Sequence, residues 1–166
     1  MYISGCLHGN ERLGPVVSYY LLEFLASSFG KDPYITELLR TREIVVTPMT
    51  NAVGYYENQR KEKTKSANDQ EIYRDPNRDF PYNNRADSCM NTVASRTIYR
   101  LFAENLFVSA ITFHGGDNVI AYCWGSNNHA ITQQIANEAP DHKALHFLGK
   151  AMQTEAGNEI YTASNN

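Results

Sequence analysis

With 166 residues, 42% of them hydrophobic and 20% charged, the chain reads as a soluble globular protein long enough for one domain with a real core. A formal charge of −3 with both signs spread along the sequence argues against nucleic acid as a partner, because that asks for a basic patch. No apolar run nears the roughly 18 residues of a membrane span, no signal peptide is visible ahead of residue 1, and Cys6, Cys89 and Cys123, without a CxxC, indicate neither a disulfide framework nor a zinc ribbon.

In chain order, MYISGCL (1–7) reads as a short buried strand. GPVVSYYLLEFLASSF (14–29) reads as a helix, with Val16, Val17, Tyr20, Leu21, Phe24 and Leu25 at helical spacing and Pro15 at its first position. DPYITELLR (32–40) is a short helix, and the β-branched EIVVTPM (43–49) a second strand stopped by TNAVG. Residues 50–90 are polar, rich in Asn, Asp, Pro and Arg, and without periodicity. They predict a long loop, which inside a compact domain is often functional. Within it, the basic stretch QRKEKTK (59–65) carries its own glutamate and reads as solvated. Next come a helix over 92–106, strands over 107–113 and 118–124, helices over 128–139 and 142–155, and the tail EIYTASNN. Alternating strands and helices define the α/β class. In such folds ligands gather beyond the carboxyl ends of strands. Here His8 follows the first strand, Asn51 the second and His114 the third.

His8 and Glu11 stand three apart in HGNE, a spacing that lets both side chains converge from one turn. A lone histidine at a strand end, such as His114, is more often a satisfied polar residue than a ligand, and an isolated HxxE arises by chance. Taken together, at the ends of separate strands, His8, Glu11 and His114 match the two-His, one-carboxylate set of a catalytic zinc that keeps a fourth position for water. His129, His142 and His146 have no carboxylate placed to complete a set and take no site role. In YRDPNRDFPY (73–82), Asn77 and Arg78 offer a planar fork and an amide suited to a carboxylate. The competing reading pairs Arg78 with its own neighbours Asp75 and Asp79.

HGNE, NAVGYYENQR, DPNRDFPY, TFHGG and AYCWG, in that order, resemble the zinc metallocarboxypeptidases over nearly the whole chain. The resemblance implies one carboxypeptidase-like catalytic domain over residues 1–166, with a mixed central β-sheet and helices on both faces. It implies one Zn2+ held by His8, Glu11 and His114, with Asp75 orienting His8. Asn77 and Arg78 would hold the terminal carboxylate of a peptide or protein substrate, and Arg60 would polarise the scissile carbonyl, although one register places Glu62 there. The implied activity is removal of C-terminal residues. NAVG departs from the family's Pro-Asp. The family also places two strands before HxxE, and a tyrosine and a glutamate well after the third ligand. Neither Tyr161 nor Glu159 replaces these. The chain is therefore expected to be the middle of a larger domain, to expose strand edges that favour association, and to hydrolyse peptides poorly on its own. HGNE also resembles the zinc aminoacylases of the aspartoacylase and succinylglutamate desuccinylase kind. A non-catalytic binder of peptide C-termini, or a metal-free structural piece, are the readings outside enzymology.

Overall fold

The computed structural model describes residues 1–81, 89–124, 130–132, 135–136, 138–157 and 161–164. They fall into two compact units, one built from Met1–Pro81 and the described residues up to Gly115, the other from Gly116 onwards.

The first unit is organised on strand β1 (Tyr2–Gly5), which is buried along its whole length. It lies between β2 (Val45–Thr47) and β5 (Ala110–Phe113), parallel to both, with Ile3 opposite Val46 and Ile111. A strand covered on both faces need not alternate in polarity, and this one carries polar groups satisfied sideways. The Tyr2 hydroxyl is 2.6 Å from Thr47 Oγ1 and the Ser4 hydroxyl 3.0 Å from Thr112 Oγ1. The Tyr2 ring packs edge-on to Phe102 and beside Phe107, each with 5.4 Å between ring centres.

Helix α1 (Leu13–Ser28) starts directly over the sheet. Pro15 lies inside its first turn rather than at its first residue, where the missing N–H still costs no intrahelical bond. Gly5 and Gly14 permit the approach, since a Cβ on Gly5 would come within 2.7 Å of the Gly14 carbonyl carbon. Helix α2 (Pro33–Thr41) begins with an Asp32 cap and proline at its first position.

The described part of residues 50–90, expected as a loop, is largely structured. Asn51 caps a short helix α3 (Ala52–Glu57), its side-chain oxygen accepting from Gly54 N–H at 2.9 Å. A hairpin follows, β3 (Glu62–Lys65) against β4 (Glu71–Arg74), then a 3-10 turn over Pro76–Arg78. Helix α4 (Val93–Glu104), capped by Thr92, returns the chain to β5.

The second unit pairs β6 (Val119–Tyr122) in parallel with β9 (Tyr161–Ser164) and carries helix α5 (His142–Glu155). Over 128–139, where a helix is expected, the described residues are not helical. Two short antiparallel strands lie there, β7 (Ala130–Thr132) and β8 (Ile135–Ala136). Tyr82, His129 and Glu159 lie outside the described residues. No helix among the described residues is long and apolar enough to cross a membrane.

Candidate metal centre

The chain leaves β1 through Cys6, whose backbone sits in the left-handed region at φ 57°, and folds HGNE back over the strand ends. Glu11 N–H donates to the His8 carbonyl at 3.1 Å, closing a turn that points both side chains the same way. Gly9 N–H donates to the Arg60 carbonyl at 3.2 Å, which ties this turn to the segment after α3. His114 arrives from the end of β5, four strands further along the sequence and next to β1 in space.

The three residues meet. Ligand atoms of His8, Glu11 and His114 all lie within 4.8 Å of one another. Glu11 is the bridge, with Oε1 2.7 Å from His8 Nδ1 and Oε2 2.8 Å from His114 Nδ1. Gly115 N–H also donates to Oε2, at 3.1 Å. His8 is buried, whereas the His114 side chain is 38% exposed. The cluster therefore has a closed side and an open one.

Asp75, at the end of β4, places Oδ1 2.9 Å from His8 Nε2. An Nε2–H donated there would leave the Nδ1 lone pair available to a metal ion. Arg60 sits at the rim. Its Nη1 donates to Glu11 Oε1 at 2.9 Å, and its Nε lies 3.5 Å from Asp75 Oδ2. Burial pushes the carboxyl groups of Glu11 and Asp75 up, but other influences outweigh it and hold both below their ordinary range. For Glu11 these are the hydrogen bonds and charges of His114 and His8. For Asp75 they are the hydrogen bonds from His8 and from Asn77 N–H, with the charges of His8 and Arg60. Two imidazoles and an ionised carboxylate, with one imidazole braced from behind, form a donor set that fits zinc.

Asn77 and Arg78 stand exposed on the 3-10 turn just after Asp75. Arg78 forms no ion pair with either neighbouring aspartate. Its Nη1 donates to the Asn77 carbonyl at 2.9 Å, while Asp75 faces His8 and Asp79 faces away towards α4. Arg78 is therefore not paired with Asp75 or Asp79.

Asp79 and Glu62 have a role that the sequence did not indicate: Asp79 was a candidate partner of Arg78 and Glu62 an alternative to Arg60, and both instead meet the start of α4. Asp79 is 3% exposed, and its carboxylate accepts from Asn91 Nδ2, Thr92 N–H, Thr92 Oγ1 and Ser95 Oγ at 3.0, 2.7, 2.8 and 2.6 Å. Burial raises its pKa, yet the donors from Ser95, Thr92 and Asn91 prevail and bring it down to about 2. Glu62, 5% exposed, accepts from Val93 and Ala94 N–H at 2.5 and 3.0 Å. Both carboxylates thus satisfy the free N–H groups and positive end of α4. The signal for them was Thr92 with Ser95 three residues on, a helix start that seeks acceptors. Glu62 being consumed there, it offers nothing to the metal cluster.

Comparison with known proteins follows the same lines. Residues 1–165 match the zinc carboxypeptidase family. Carboxypeptidase D of Anas platyrhynchos is 28% identical over 165 residues, 96% of this chain and 11% of that protein. Carboxypeptidase M of Mus musculus is 33% identical over 121 residues, 70% of this chain and 26% of that protein. The crystal structure of the carboxypeptidase A from Helicoverpa armigera superposes with a TM-score of 0.77 at 18% identity, covering 99% of this chain and 44% of that one, which is a likeness of fold. The chain spans a small part of these curated relatives and less than half of that solved chain.

Proposed function

The chain belongs to the zinc carboxypeptidase family, and from that premise we propose that His8, Glu11 and His114 hold one zinc ion in a metallocarboxypeptidase that removes C-terminal residues from peptides. The observation that carries this reading is the convergence of the three donors within 4.8 Å, with Asp75 bonded to the far nitrogen of His8. Zinc in such a site supplies Lewis acidity and lowers the pKa of a bound water from about 16 to about 7.

The chain's own residues divide the remaining work. Asp75 holds His8 in its tautomer and orientation. Arg60, 45% exposed at the rim, offers guanidinium donors to the oxygen that gains charge as the peptide carbonyl is attacked. Asn77 and Arg78 hold the substrate's terminal carboxylate through a fork and an amide. That demand for a free carboxylate is what makes the enzyme an exopeptidase. Both units are read as parts of one catalytic domain.

Elemental mass spectrometry on the purified chain tests the reading. It should return about one zinc per chain, lost in Glu11→Gln and in His114→Ala. Absence of zinc after reconstitution, or full retention in both variants, would refute it.

A further inference from the structure

The segment that carries Asn77 and Arg78 is a single 3-10 turn. Its internal bonds are Arg78 N–H to the Asp75 carbonyl at 3.0 Å, Asp79 N–H to the Pro76 carbonyl at 3.2 Å, and Asn77 N–H to Asp75 Oδ1 at 2.9 Å. A turn this short has poor hydrogen-bond geometry and little stability of its own. Its orientation must come from its ends. The leading end is held by Asp75 against His8.

The trailing end is Asp79, directly after Arg78. Besides its four side-chain bonds to the start of α4, its carbonyl accepts Met90 N–H at 2.7 Å. Burying a carboxylate is costly unless every lone pair is met, and here neutral donors meet them. Two consequences follow. The turn is fastened to the capped start of α4. The charge of Asp79 is also fully engaged, so the guanidinium one residue away is left exposed for another carboxylate.

We propose that Asp79 is a positioning residue that holds Asn77 and Arg78 in place and keeps Arg78 free for the C-terminal carboxylate of a peptide. The inference rests on the reading of Asn77 and Arg78 as the carboxylate clamp. It predicts that Asp79→Asn, which replaces a charged acceptor by an amide whose NH2 faces donors, loosens the turn.

Calorimetry on the full chain with an N-acetylated tetrapeptide and its C-terminally amidated twin gives the ratio of the two affinities. The wild-type chain should prefer the free acid. Asp79→Asn should lower that preference about tenfold, the size expected when one hydrogen bond to a charged group is compromised. Glu62→Gln, at a similarly buried acceptor on β3 that meets the same helix start, should lower the melting temperature and leave the ratio alone. An unchanged ratio in Asp79→Asn, or an equal fall in Glu62→Gln, overturns the proposal. Equal wild-type affinity for acid and amide would instead defeat the clamp reading. Hydrogen exchange over residues 75–81 then decides the positioning claim by itself. Exchange about tenfold faster in Asp79→Asn than in Glu62→Gln upholds it, and equal exchange overturns it.

Discussion

Among the described residues two pairs of imidazoles stand close together, and they are built differently. In the first unit the His8 and His114 rings lie 5.0 Å apart, reached from two strands, with the Glu11 carboxylate bonded to both. In the second unit His142 and His146 lie 6.0 Å apart on one face of α5, stacked on each other. Tyr122 donates to or accepts from His146 at 2.9 Å, and Glu138 stands 3.5 Å from His142 with its side chain 73% exposed. Ring proximity is similar in the two pairs. What separates them is a carboxylate placed between the rings and a second one behind. Only the first set draws its donors from distant parts of the chain, so only there does the tertiary fold hold them before any ligand arrives.

The contrast can be broken most severely with the ligands themselves. His8→Ala should abolish zinc binding, whereas the double variant His142→Ala/His146→Ala should keep about one zinc per chain by elemental mass spectrometry. Zinc lost from the double variant would mean that the second pair takes part. A smaller effect is expected from Asp75→Asn, which keeps the shape of the brace and removes its charge. Zinc affinity, read by competition with a chelator, should fall 10- to 100-fold.

Acid offers a third contrast. The buried polar side chains among the described residues all belong to the first unit. Asp79 has its pKa lowered from 3.8 to about 2, so its contribution of about 2 kcal/mol is present above about pH 4 and is lost as pH falls through about 2. Glu11 and Asp75 act in the same direction. Protection of α4 against hydrogen exchange should therefore drop between pH 6 and pH 2.5 by more than that of α5, and parallel losses would erase the distinction. The smallest effect belongs to Tyr122→Phe. It removes one partly exposed hydrogen bond worth about 0.5 kcal/mol, shifts the melting temperature by about 1–2 °C, and leaves zinc content untouched.

Much of the centre was legible because zinc chemistry restricts residue types. Two histidines and a glutamate at strand ends are few enough to notice, and β1 and β5, which present them, are short apolar runs. Helices α1, α2, α4 and α5 were legible from spacing and from starts such as Asp32–Pro33. The hairpin was not. Its strands read EKTK and EIYR, and their support is lateral, through Lys63 with Glu71 at 2.9 Å and Glu62 on α4, rather than through an alternating apolar face. Over 128–139 a helix-like composition yielded to pairing of β7 with β8, as tertiary context overrides weak propensity. Asp79 was legible only as a neighbour of Arg78, because its task is to accept N–H and O–H groups from residues 91–95, a partnership with no fixed spacing.

Gly9 gives HGNE a meaning beyond its ligands. A Cβ at that position would overlap the backbone of Gly54 and the Gln59 carbonyl, neither of which can swing aside as a side chain does. Its neighbour Asn10 is exposed and meets no such constraint. In a randomised library selected for metal retention, position 9 would return glycine alone while position 10 drifted freely. The two letters between histidine and glutamate thus answer to opposite constraints: one a backbone seam between the first turn and the third helix, the other open ground for substitution.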